Sequence, residues 1–600
     1  MCGIVGYVDR TGNPAALDVL DTGLTSLEYR GYDSAGVALA DEELTIVKRE
    51  GKVEALTQAL DEEHPDDVAV GIGHTRWSTH GPPSDANAHP HTDCSGSVAV
   101  VHNGIIENYD TLKAELLERG HAFESETDTE VIPHLIEDAL ERGCSRETAF
   151  RGAIERLEGS YAVVAVFEGG DELLATRQDS PLVLGIGDDG YYLASDVPAF
   201  IEYTDRVSYL DDGEFVRVTP EAVTVSDASG AEIEKPVSTI DWDPEDAGKS
   251  GYEHYMLKEI HEQPRALRKC LRGRVDEIDG RVSLDLDLDR ESVERIHLVA
   301  CDTSYHAALY GAQLLRAQGI PAQTFLANEY DESALAGEKP LVIGVTQSGE
   351  TADTLGALRT AQSAGAETLA VTNTVGSSAA RECDHALFVR AGPEIGVAAT
   401  KTFASQQTAL HLLALWLAGG DVDPDRIAAL RAIPEQVQSI LDDDSAREVA
   451  AELTGSSAYF FIGRGPHRPV ALEGALKLKE ISYEHAEGFA AGELKHGPLA
   501  LITPETPIVA MVTGNDERAR KTVGNVKEVQ ARGAPVVAVT DGKANVEQYA
   551  QHVLSVPETD PEIAALLANV QLQVLAYWIA HDLGRPIDKP RNLAKSVTVE

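Results

Sequence analysis

The sequence contains few cysteines, and they are not arranged in pairs. Only six occur in 600 residues, and none belongs to a CxxC motif. This pattern predicts neither a zinc site built on paired cysteines nor a disulfide framework. Apart from Cys2, each cysteine is expected to be an ordinary buried or unreactive thiol.

Basic residues are also scarce. The chain has 50 lysines and arginines against 99 aspartates and glutamates, which gives a formal net charge of -49. Because binding to nucleic-acid phosphates needs a basic face, this balance excludes nucleic acid as a partner. The acidic residues are spread among apolar segments, which argues against a disordered acidic tail. They indicate a surface adapted to high salt, as in halophilic proteins, where ions screen the self-repulsion.

No membrane-spanning run or basic leader is evident. The longest strongly apolar stretch is predicted at 410–418, which is interrupted by His411 and is too short to cross a bilayer. With 43% hydrophobic and 25% charged residues, the composition is that of a soluble globular protein. We therefore expect a cytoplasmic protein without a membrane partner, and the length favours several domains.

Short strands dominate the first part of the chain, with helices among them, which favours a layered α+β domain. The predicted strands are 68–73, 97–102, 161–167, 172–176, 181–186, 191–195 and 214–218, and the predicted helices are 15–29, 109–119 and 130–142. An acidic, proline-containing stretch without periodicity, 236–252, is predicted to be a linker.

Strands and helices alternate in the rest of the chain, which is typical of doubly wound parallel α/β sheets. Strands are predicted at 295–300, 341–346 and 368–372, and helices from about 304 and over 351–364. The pattern at 341–372 recurs at 507–540, an offset of roughly 165 residues that indicates a duplicated domain. We predict domains at 1–235, 253–435 and 436–585, followed by a C-terminal tail at 586–600.

Cys2 is a candidate nucleophile. If Met1 is removed, Cys2 becomes the first residue, and its free α-amine, with a reference pKa of about 8, can accept the thiol proton. The thiolate could then attack an amide carbonyl. The start of the chain alone is a weak signal, because many sequences begin with Met-Cys for no chemical reason.

Four polar segments strengthen this interpretation: 30–36 (RGYDSAG), 74–81 (HTRWSTHG), 102–108 (HNGIIEN) and 126–130 (ETDTE). Arg76 can hold a carboxylate in a bidentate manner. The Asn103 side chain and the Gly104 backbone N–H are donors of the kind that an oxyanion hole needs. A carboxylate from the last segment is suited to a substrate ammonium group.

Histidines in this region also invite a metal interpretation. They are His74, His80, His89, His91 and His102. None of them shows the tight spacing of metal ligands on one helix, so we expect no metal site among them. His89 and His102 are expected to be structural hydrogen-bonding residues.

A hydroxyl- and glycine-rich turn, 347–351 (QSGET), follows a predicted strand and opens a helix. Its backbone N–H groups and the positive end of the helix dipole can bind an anion, although a plain capped helix start fits the same pattern. The lysine of a nucleotide P-loop is missing. The corresponding loop of the second copy, 513–517 (TGNDE), is acidic and is predicted not to bind phosphate.

Charged residues recur on one face of the helix predicted at 471–480. Glu473, Lys477 and Glu480 are spaced i, i+4 and i+7, and a solvated, salt-bridged face is the alternative interpretation. His496 lies in a turn bounded by glycine and proline, where an imidazole can titrate. The chain ends in a polar tail, which is either functional or a frayed terminus.

These segments resemble the glucosamine-6-phosphate synthase family, whose first domain is an N-terminal-nucleophile glutaminase. The matching motifs follow the family order through essentially the whole chain. Besides the segments quoted above, they are 2–6 (CGIVG), 251–264 (GYEHYMLKEIHEQP), 394–398 (EIGVA), 493–498 (ELKHGP) and 593–600 (LAKSVTVE). The resemblance implies an αββα sandwich followed by two doubly wound α/β sugar-isomerase (SIS) domains.

The resemblance also implies the roles of the N-terminal residues. It makes Cys2 the nucleophile and assigns to L-glutamine Arg30, Arg76, Trp77, Thr79, His80, Asn103, Gly104 and Asp128. Of these, Asn103 and Gly104 would form the oxyanion hole, while Arg76 and Asp128 would bind the carboxylate and the amino group. Arg30 would help to hold the site closed, and Trp77 would gate the passage of ammonia.

For the C-terminal half, the resemblance implies that D-fructose 6-phosphate is aminated and isomerised to D-glucosamine 6-phosphate. It assigns to the sugar phosphate Thr303, Ser304, Thr346, Gln347, Ser348, Thr351, Val397 and Ala594. Glu480 would move a proton between C1 and C2, and Lys477 and Lys595 would lie at the carbonyl, Lys595 as the Schiff-base amine. His496 would open the sugar ring across the interface of a homodimer. No metal or other cofactor is implied.

Two positions depart from the family pattern. Asp302 stands where the family usually has glycine, and Thr346 stands where it usually has serine. An aspartate at this place could repel the phosphate or point to solvent.

Two other functions stay open. One is another amidotransferase with an N-terminal cysteine, such as amidophosphoribosyltransferase, although no phosphoribosyl-pyrophosphate loop is found. The other is a non-catalytic sugar-phosphate sensor, against which the joint presence of Glu480, Lys477, His496 and Lys595 argues.

Overall fold

Residues 2–240, 248–335, 337 and 339–597 are described by a computed structural model of the chain. Their contacts divide the chain into two units, Met1–Ala247 with Ala594–Glu600, and Gly248–Leu593. The middle of the predicted linker, 241–247, and the last three residues of the predicted tail lie outside the described residues. The domain bounds given above stay predictions.

Two antiparallel sheets form the centre of the N-terminal unit. Their strands, β1 to β14, are Gly3–Asp9, Ser34–Ala40, Leu44–Glu50, Val70–Arg76, His91–Thr92, Val98–Ile106, Gly159–Phe167, Leu173–Gln178, Val183–Ile186, Gly190–Ala194, Arg206–Tyr209, Phe215–Val218, Val223–Ser226 and Ser238–Thr239. One sheet has the order β14-β11-β9-β10-β1-β4-β2-β3 and the other the order β13-β12-β8-β7-β6-β5. The first residues of the predicted linker therefore extend a sheet, because β14 pairs with β11.

Helices cover the outer faces of both sheets. They are α1 to α5, at Ala16–Leu27, Val53–Glu63, Tyr109–Arg119, Val131–Glu141 and Arg146–Ile154. In α1 the buried residues Leu20, Leu24 and Leu27 recur every three or four positions, so one stripe faces the first sheet. Helices α3 to α5 bury their apolar side chains against the second sheet.

The pleat of β6 shows how the layers are joined. Val98 and Val100 pack towards the helices, whereas Ala99 and Val101 pack between the two sheets, as the two-residue period of a strand requires. The order of layers is helix, sheet, sheet, helix. The predicted αββα sandwich is confirmed.

The C-terminal unit contains two parallel sheets of the same topology. Strands β15 to β26 are Val275–Asp276, Arg281–Val282, Ile296–Ala300, Ala322–Leu326, Leu341–Val345, Thr368–Thr372, His385–Phe388, Ala458–Gly463, His485–Ala490, Ile508–Val512, Val536–Thr540 and His552–Ser555. The sheet orders are β18-β17-β19-β20-β21 and β23-β22-β24-β25-β26. In both copies the second strand lies at the edge beside the first, which is a doubly wound order, so the predicted duplication is confirmed.

Ten helices of this unit, α6 to α15, are described, together with short 3-10 turns. The helices are Tyr255–Leu271, Asp302–Ala317, Ala352–Ser363, Ser378–Glu382, Lys401–Leu417, Pro424–Leu441, Ser445–Leu453, His467–Ser482, Glu517–Gln530 and Pro561–Asp582. The 3-10 turns of the whole described chain are Val197–Ala199, Arg290–Ser292, Ala327–Glu329, Glu332–Leu335, Glu493–His496, Pro498–Leu501 and Val546–Tyr549.

Helix α15 corrects the prediction that 410–418 is the longest apolar stretch. Among the described helices, Pro561–Asp582 alone has the length and composition of a membrane span, with a mean hydropathy of 1.6. However, 89% of that stretch is buried inside the protein. A helix that is apolar on all sides and enclosed in this way belongs to the core of its unit.

Candidate active sites

Cys2 lies directly before β1, among hydrogen-bond donors. The Trp77 backbone N–H donates to the Cys2 Sγ at 3.3 Å. The Arg30 Nε and the Asn103 Nδ2 both donate to the Cys2 carbonyl at 3.0 Å. Burial raises the pKa of the Cys2 thiol, and the Trp77 N–H opposes this effect. A nucleophilic thiolate at this position therefore needs a base close to the sulfur.

The orientation of the Asn103 amide is fixed by His74. The His74 Nε2 lies 3.0 Å from the His102 carbonyl oxygen and 3.1 Å from the Asn103 Oδ1. Because both of these oxygens accept, His74 must donate from Nε2, and the Asn103 Nδ2 is left to face Cys2. Burial lowers the pKa of His74 to about 3, so the ring stays neutral. The Asn103 Nδ2 also donates to the Ser195 Oγ at 2.7 Å, a partner that the sequence analysis missed.

Gly104 occupies a conformation that needs glycine. Its φ is +125°, and a Cβ at this position would lie 2.0 Å from the Ser160 carbonyl oxygen. Any side chain would therefore displace β6 from its neighbour. The backbone at Gly104 therefore has a positive φ that residues other than glycine rarely adopt.

Arg76 and Asp128 are buried charged residues of the same unit. The Arg76 Nη2 donates to the carbonyls of His80 and Gly81, whereas its Nη1 is buried and has no hydrogen-bond partner among the described residues. A buried donor without a partner is costly, so this nitrogen is suited to an acceptor on a ligand. The Asp128 carboxylate accepts the Ile106 N–H at 2.8 Å.

Of the remaining residues predicted to bind glutamine, Arg30 is buried and the other three are more exposed. Arg30 forms an ion pair of 3.6 Å with Asp196. The half-buried Trp77 packs edge-to-face against Tyr32, with ring centroids 5.7 Å apart. Thr79 is exposed and His80 half-buried, and the His80 Nδ1 lies 3.3 Å from the Thr79 Oγ1.

Three buried histidines hold the segment that carries Asp128. The His89 Nε2 and the His102 Nδ1 lie 2.9 and 2.8 Å from the Thr129 Oγ1. The His91 Nε2 lies 3.0 Å from the Thr127 Oγ1. Burial lowers the pKa of each of these histidines, so they act as neutral hydrogen-bonding groups. This agrees with the structural role expected of His89 and His102.

In the C-terminal unit, the hydroxyl-rich turn lies between β19 and the helix Ala352–Ser363. The Thr346 Oγ1 accepts the Gly349 N–H at 3.1 Å and lies 3.2 Å from the Thr351 Oγ1. The Ser348 Oγ accepts the Glu350 N–H at 3.1 Å. Gln347, Ser348 and Thr351 are half-buried, so the turn has polar groups within reach of a ligand.

The equivalent turn of the second copy is closed by its own carboxylate. Asp541 accepts the Gly514 N–H through both oxygens, at 3.1 and 2.9 Å. A backbone donor that could face an anion is thereby already satisfied, and a negative charge lies beside it. This contact supports the prediction that the second copy does not bind phosphate.

The helix predicted from about 304 begins earlier, at Asp302. This residue has a φ of +55°, in the left-handed region where glycine is favoured and aspartate is tolerated. The family's usual glycine at this position therefore fits the backbone, and aspartate keeps the same turn. Asp302 is exposed.

Glu473, Lys477 and Glu480 form a buried ionic cluster on the helix His467–Ser482. The Lys477 Nζ lies 2.5 Å from the Glu480 Oε2 and 3.5 Å from the Glu473 Oε1, and it donates to the Thr303 Oγ1 at 2.9 Å. The side chains of Lys477 and Glu473 are 1% and 0% exposed. The alternative of a solvated, salt-bridged face is therefore wrong.

Burial and neighbouring charges set the protonation of this cluster. Burial raises the pKa of Glu480 to about 7, against the attraction of Lys477 and with a further contribution from Asp302. Burial alone would lower the pKa of Lys477, but Glu480 and Glu473 outweigh it and raise the pKa. At neutral pH the cluster thus has a fixed ammonium beside a carboxyl group that can exchange a proton.

Two further residues complete the surroundings of Thr303 and Ser304. The His306 Nδ1 lies 2.8 Å from the Glu473 Oε2, and the Gln406 Nε2 donates to the Ser304 Oγ at 2.9 Å. Neither residue belongs to the motifs that predicted the site. His306 lies only two residues beyond Ser304, near the start of the same helix, and this proximity could have marked it as a candidate site residue.

The other residues predicted to act on the sugar are placed as follows. Val397 is buried, and its N–H donates to the Asp588 carbonyl at 3.1 Å. His496 is exposed at the end of a 3-10 turn. Ala594 and Lys595 are half-buried and are grouped with the N-terminal unit. Their contacts with the sugar stay predictions.

Comparison with known families defines the class of the protein. Residues 74–202 match the glutamine amidotransferase domain family. Residues 291–416 and 452–581 each match the SIS domain family. The chain is a glutamine amidotransferase domain followed by a pair of SIS domains.

Full-length relatives identify the family within this class. A protein from Halobacterium salinarum named glutamine–fructose-6-phosphate aminotransferase (isomerizing) is 51% identical over 618 residues, covering 100% of both chains. One of the same name from Thermus thermophilus is 47% identical over 611 residues, again covering 100% of both. The chain belongs to the glutamine–fructose-6-phosphate aminotransferase (isomerizing) family, which confirms the resemblance seen in the sequence.

A solved structure agrees with this assignment for the C-terminal half. The C-terminal domain of glucosamine-fructose-6-phosphate aminotransferase from Francisella tularensis has 35% sequence identity and a TM-score of 0.52. The match covers 57% of this chain and 99% of that domain.

Proposed function

We propose that the protein transfers the amide nitrogen of L-glutamine to D-fructose 6-phosphate and isomerises the product to D-glucosamine 6-phosphate. The observation that carries this proposal is the buried cluster of Glu480, Lys477 and Thr303. It combines a carboxyl group, whose pKa burial raises to about 7, with a fixed cation. The cation donates to Thr303, which precedes Ser304 at the start of another helix. A protein that only senses a sugar phosphate does not need a buried proton acceptor.

The first half-reaction takes place at Cys2. After removal of Met1, the free α-amine of Cys2 accepts the thiol proton, and the thiolate attacks the amide carbon of glutamine. The Asn103 Nδ2 and the Gly104 N–H stabilise the oxyanion, and Arg76 and Asp128 bind the carboxylate and the amino group. Collapse of the intermediate releases ammonia and leaves a thioester, which water hydrolyses to L-glutamate.

Two contacts in the N-terminal unit support these roles. The unpartnered Arg76 Nη1 is suited to a ligand carboxylate. The Asn103 amide already faces Cys2, because His74 holds its oxygen on the other side. An oxyanion hole is effective when its donors are fixed before the charge develops, and His74 fixes the orientation of the Asn103 amide.

The second half-reaction takes place in the SIS pair. The phosphate binds at Ser304 and at the turn of Thr346, Gln347, Ser348 and Thr351. Lys595 forms an imine with the C2 carbonyl of the open sugar, and the carbonyl oxygen leaves as water. Ammonia passed on within the protein displaces this lysine. Glu480 then takes a proton from C1 and returns it to C2, while Lys477 stabilises the negative charge of the intermediate.

The setting of the enzyme is part of the same proposal. We expect a cytoplasmic homodimer, in which the exposed His496 would complete the sugar site of a second copy. Its product would feed the synthesis of amino sugars such as UDP-GlcNAc.

The proposal is tested by incubating the purified protein with glutamine and fructose 6-phosphate in molar salt and identifying the products by mass spectrometry. Glutamate and a hexosamine phosphate should form in equal amounts. Another amidotransferase would release glutamate without aminating fructose 6-phosphate. A sensor would bind the sugar phosphate and convert neither compound.

The charge of -49 leads to a further expectation, that of a salt-dependent fold. Raising KCl from about 0.1 M to about 1 M shortens the Debye length from roughly 10 to 3 Å and so screens the repulsion between acidic residues. If this relieves about 2–3 kcal/mol per domain, the unfolding temperature should rise by roughly 5–10 °C. Calorimetry in KCl and NaCl, with sucrose as an uncharged control, measures the effect. Full stability in dilute buffer would count against adaptation to high salt.

A further inference from the structure

We propose that the N-terminal unit binds a structural zinc ion through Cys94, His121, His134 and Glu137. These residues come from three separate segments: the connection between β5 and β6, the end of α3, and the helix α4. Their ligand atoms all lie within 4.8 Å of one another. The proposal concerns stability rather than the reaction, so it does not depend on the proposed function.

The spacing of the four atoms is that of ligands around one ion. The Cys94 Sγ lies 3.6 Å from the His134 Nδ1 and 3.7 Å from the His121 Nδ1. The Glu137 Oε2 lies 3.3 Å from the His134 Nδ1 and 2.9 Å from the His121 Nδ1. Zinc bonds of about 2.3 Å to sulfur and 2.0–2.2 Å to nitrogen or oxygen, at tetrahedral angles, separate such atoms by roughly 3.6 and 3.4 Å. Of these four distances, only that between His121 and Glu137 is clearly shorter, and 2.9 Å is the length of an ordinary hydrogen bond.

The outer nitrogens of both histidines face carboxylates. The His121 Nε2 lies 3.7 Å from the Asp138 Oδ1, and the His134 Nε2 lies 3.7 Å from the Glu130 Oε1. Histidines that bind metals usually turn the second ring nitrogen to a carboxylate, which orients the ring. Both rings thus turn Nδ1 inward and Nε2 towards an acid. The Cys94 Sγ also accepts the Ala122 N–H at 3.4 Å, which helps to fix the position of the sulfur.

The chemistry of the ligands selects zinc among the common divalent ions. One thiolate, one carboxylate and two neutral imidazoles together carry two negative charges, which a divalent ion neutralises. Magnesium and calcium take oxygen ligands almost exclusively, whereas a four-coordinate set with sulfur and nitrogen suits zinc. Because four protein groups would fill the coordination sphere, the site would be structural and not catalytic.

The position of the site shows what the ion would stabilise. It would tie the connection between α3 and α4 to the loop after β5. That connection carries Asp128, and it is also held by Glu130, whose carboxylate accepts the Ser125 N–H at 2.7 Å. Metal binding is therefore expected to stabilise the N-terminal unit.

The spacing of these residues in the sequence gives little sign of a shared site, and none of them belongs to the histidines considered above as metal ligands. Residues 94, 121 and 134 are far apart in the chain, and only the pair His134 and Glu137, on one face of a helix, shows such a signal.

The test uses the full-length protein, expressed without a polyhistidine tag and purified without chelators. Elemental analysis should find about one zinc per chain. After removal of the metal, Co²⁺ should give the visible bands of a tetrahedral site together with a thiolate charge-transfer band. Zn²⁺ should raise the unfolding temperature of the metal-free protein. The proposal is overturned if the wild-type protein retains no zinc and takes up neither metal at micromolar concentration.

Variants assign the ion to this cluster. Cys94→Ser should remove the charge-transfer band and weaken Zn²⁺ binding at least about 10-fold, and His134→Gln should weaken it similarly. Cys144→Ser is the matched control, because Cys144 is a half-buried cysteine of the same unit outside the cluster. Unchanged binding and spectrum in Cys94→Ser would refute the assignment. If that variant does not fold, the cobalt spectrum of the wild-type protein decides.

Discussion

Replacing Cys2 with alanine is expected to reduce glutamine-dependent synthesis of glucosamine 6-phosphate by at least about 1,000-fold, because no thioester can form without the sulfur. The sugar site lies in the other unit and keeps Glu480, Lys477 and Thr303. The variant should therefore still bind fructose 6-phosphate and isomerise it. Glutamate release and sugar isomerisation, measured on the same preparation, give the two rates.

The matched control for this experiment is Cys144→Ala. Cys144 is a half-buried cysteine of the N-terminal unit, and it takes no part in the proposed reaction. Its replacement should leave both rates within about two-fold of the wild type. Glutamine turnover that survives in Cys2→Ala would show that another group is the nucleophile.

Replacing Glu480 with glutamine should lower the rate of sugar isomerisation by about 100- to 10,000-fold, which is the usual contribution of a positioned general base. Glutamine is the same size and keeps a polar contact with Lys477. Lys477 also retains Glu473 as a charge partner, so the fold should survive. Hydrolysis of glutamine at Cys2 should continue.

The pH dependence of the wild type gives a second readout for Glu480. A base must be deprotonated to act, and the pKa of Glu480 is raised to about 7 by burial. The isomerisation rate should therefore fall about tenfold per unit below that pH and level off above it. Glu480→Gln should lose this dependence.

Glu484→Gln is the control for Glu480→Gln. Glu484 lies just beyond the same helix and pairs with Arg585 at 3.4 Å, outside the buried cluster. It should keep both the rate and the pH profile of the wild type. A profile in Glu480→Gln that still follows a pKa of about 7 would assign the titration to another group.

The fold could be predicted where strands alternate with helices, and less well where strands are buried on both faces. The repeated pattern at 341–372 and 507–540 predicted the two parallel sheets, and the structure has them with the same strand order. Gly3–Asp9 and Ser34–Ala40 were not predicted as strands. Both are buried along their whole length and contain glycine, so they lack the polar alternation that marks a half-exposed strand. Burial does not decide the matter alone, because Val70–Arg76 is buried in the same way and was predicted, whereas the more exposed Leu44–Glu50 was not.

The chemistry of the candidate sites could be predicted from residue types, but their geometry could not. Spacing alone placed Glu473, Lys477 and Glu480 on one face of a helix. It could not tell whether that face meets solvent or the Thr303 hydroxyl, which is 174 residues away in the sequence. Local periodicity has no information about contacts at such a separation.

The same limit applies to the orientation of side chains. The motif around Asn103 predicted an oxyanion donor, but the direction of the amide depends on the tautomer of the distant His74. In the same way, the left-handed backbone conformation at Asp302 could not be predicted from the identity of that residue. It explains how an aspartate can replace the glycine that is usual in the family.

The most direct measurement of the central claim is an isotope experiment. Glutamine labelled with ¹⁵N at the amide is supplied with fructose 6-phosphate in the presence of excess unlabelled ammonium. The ¹⁵N content of the product is then measured by mass spectrometry. If the nitrogen released at Cys2 reaches the sugar without leaving the protein, the glucosamine 6-phosphate should be almost fully labelled. A product that carries mainly unlabelled nitrogen, or the absence of any hexosamine phosphate, would contradict it.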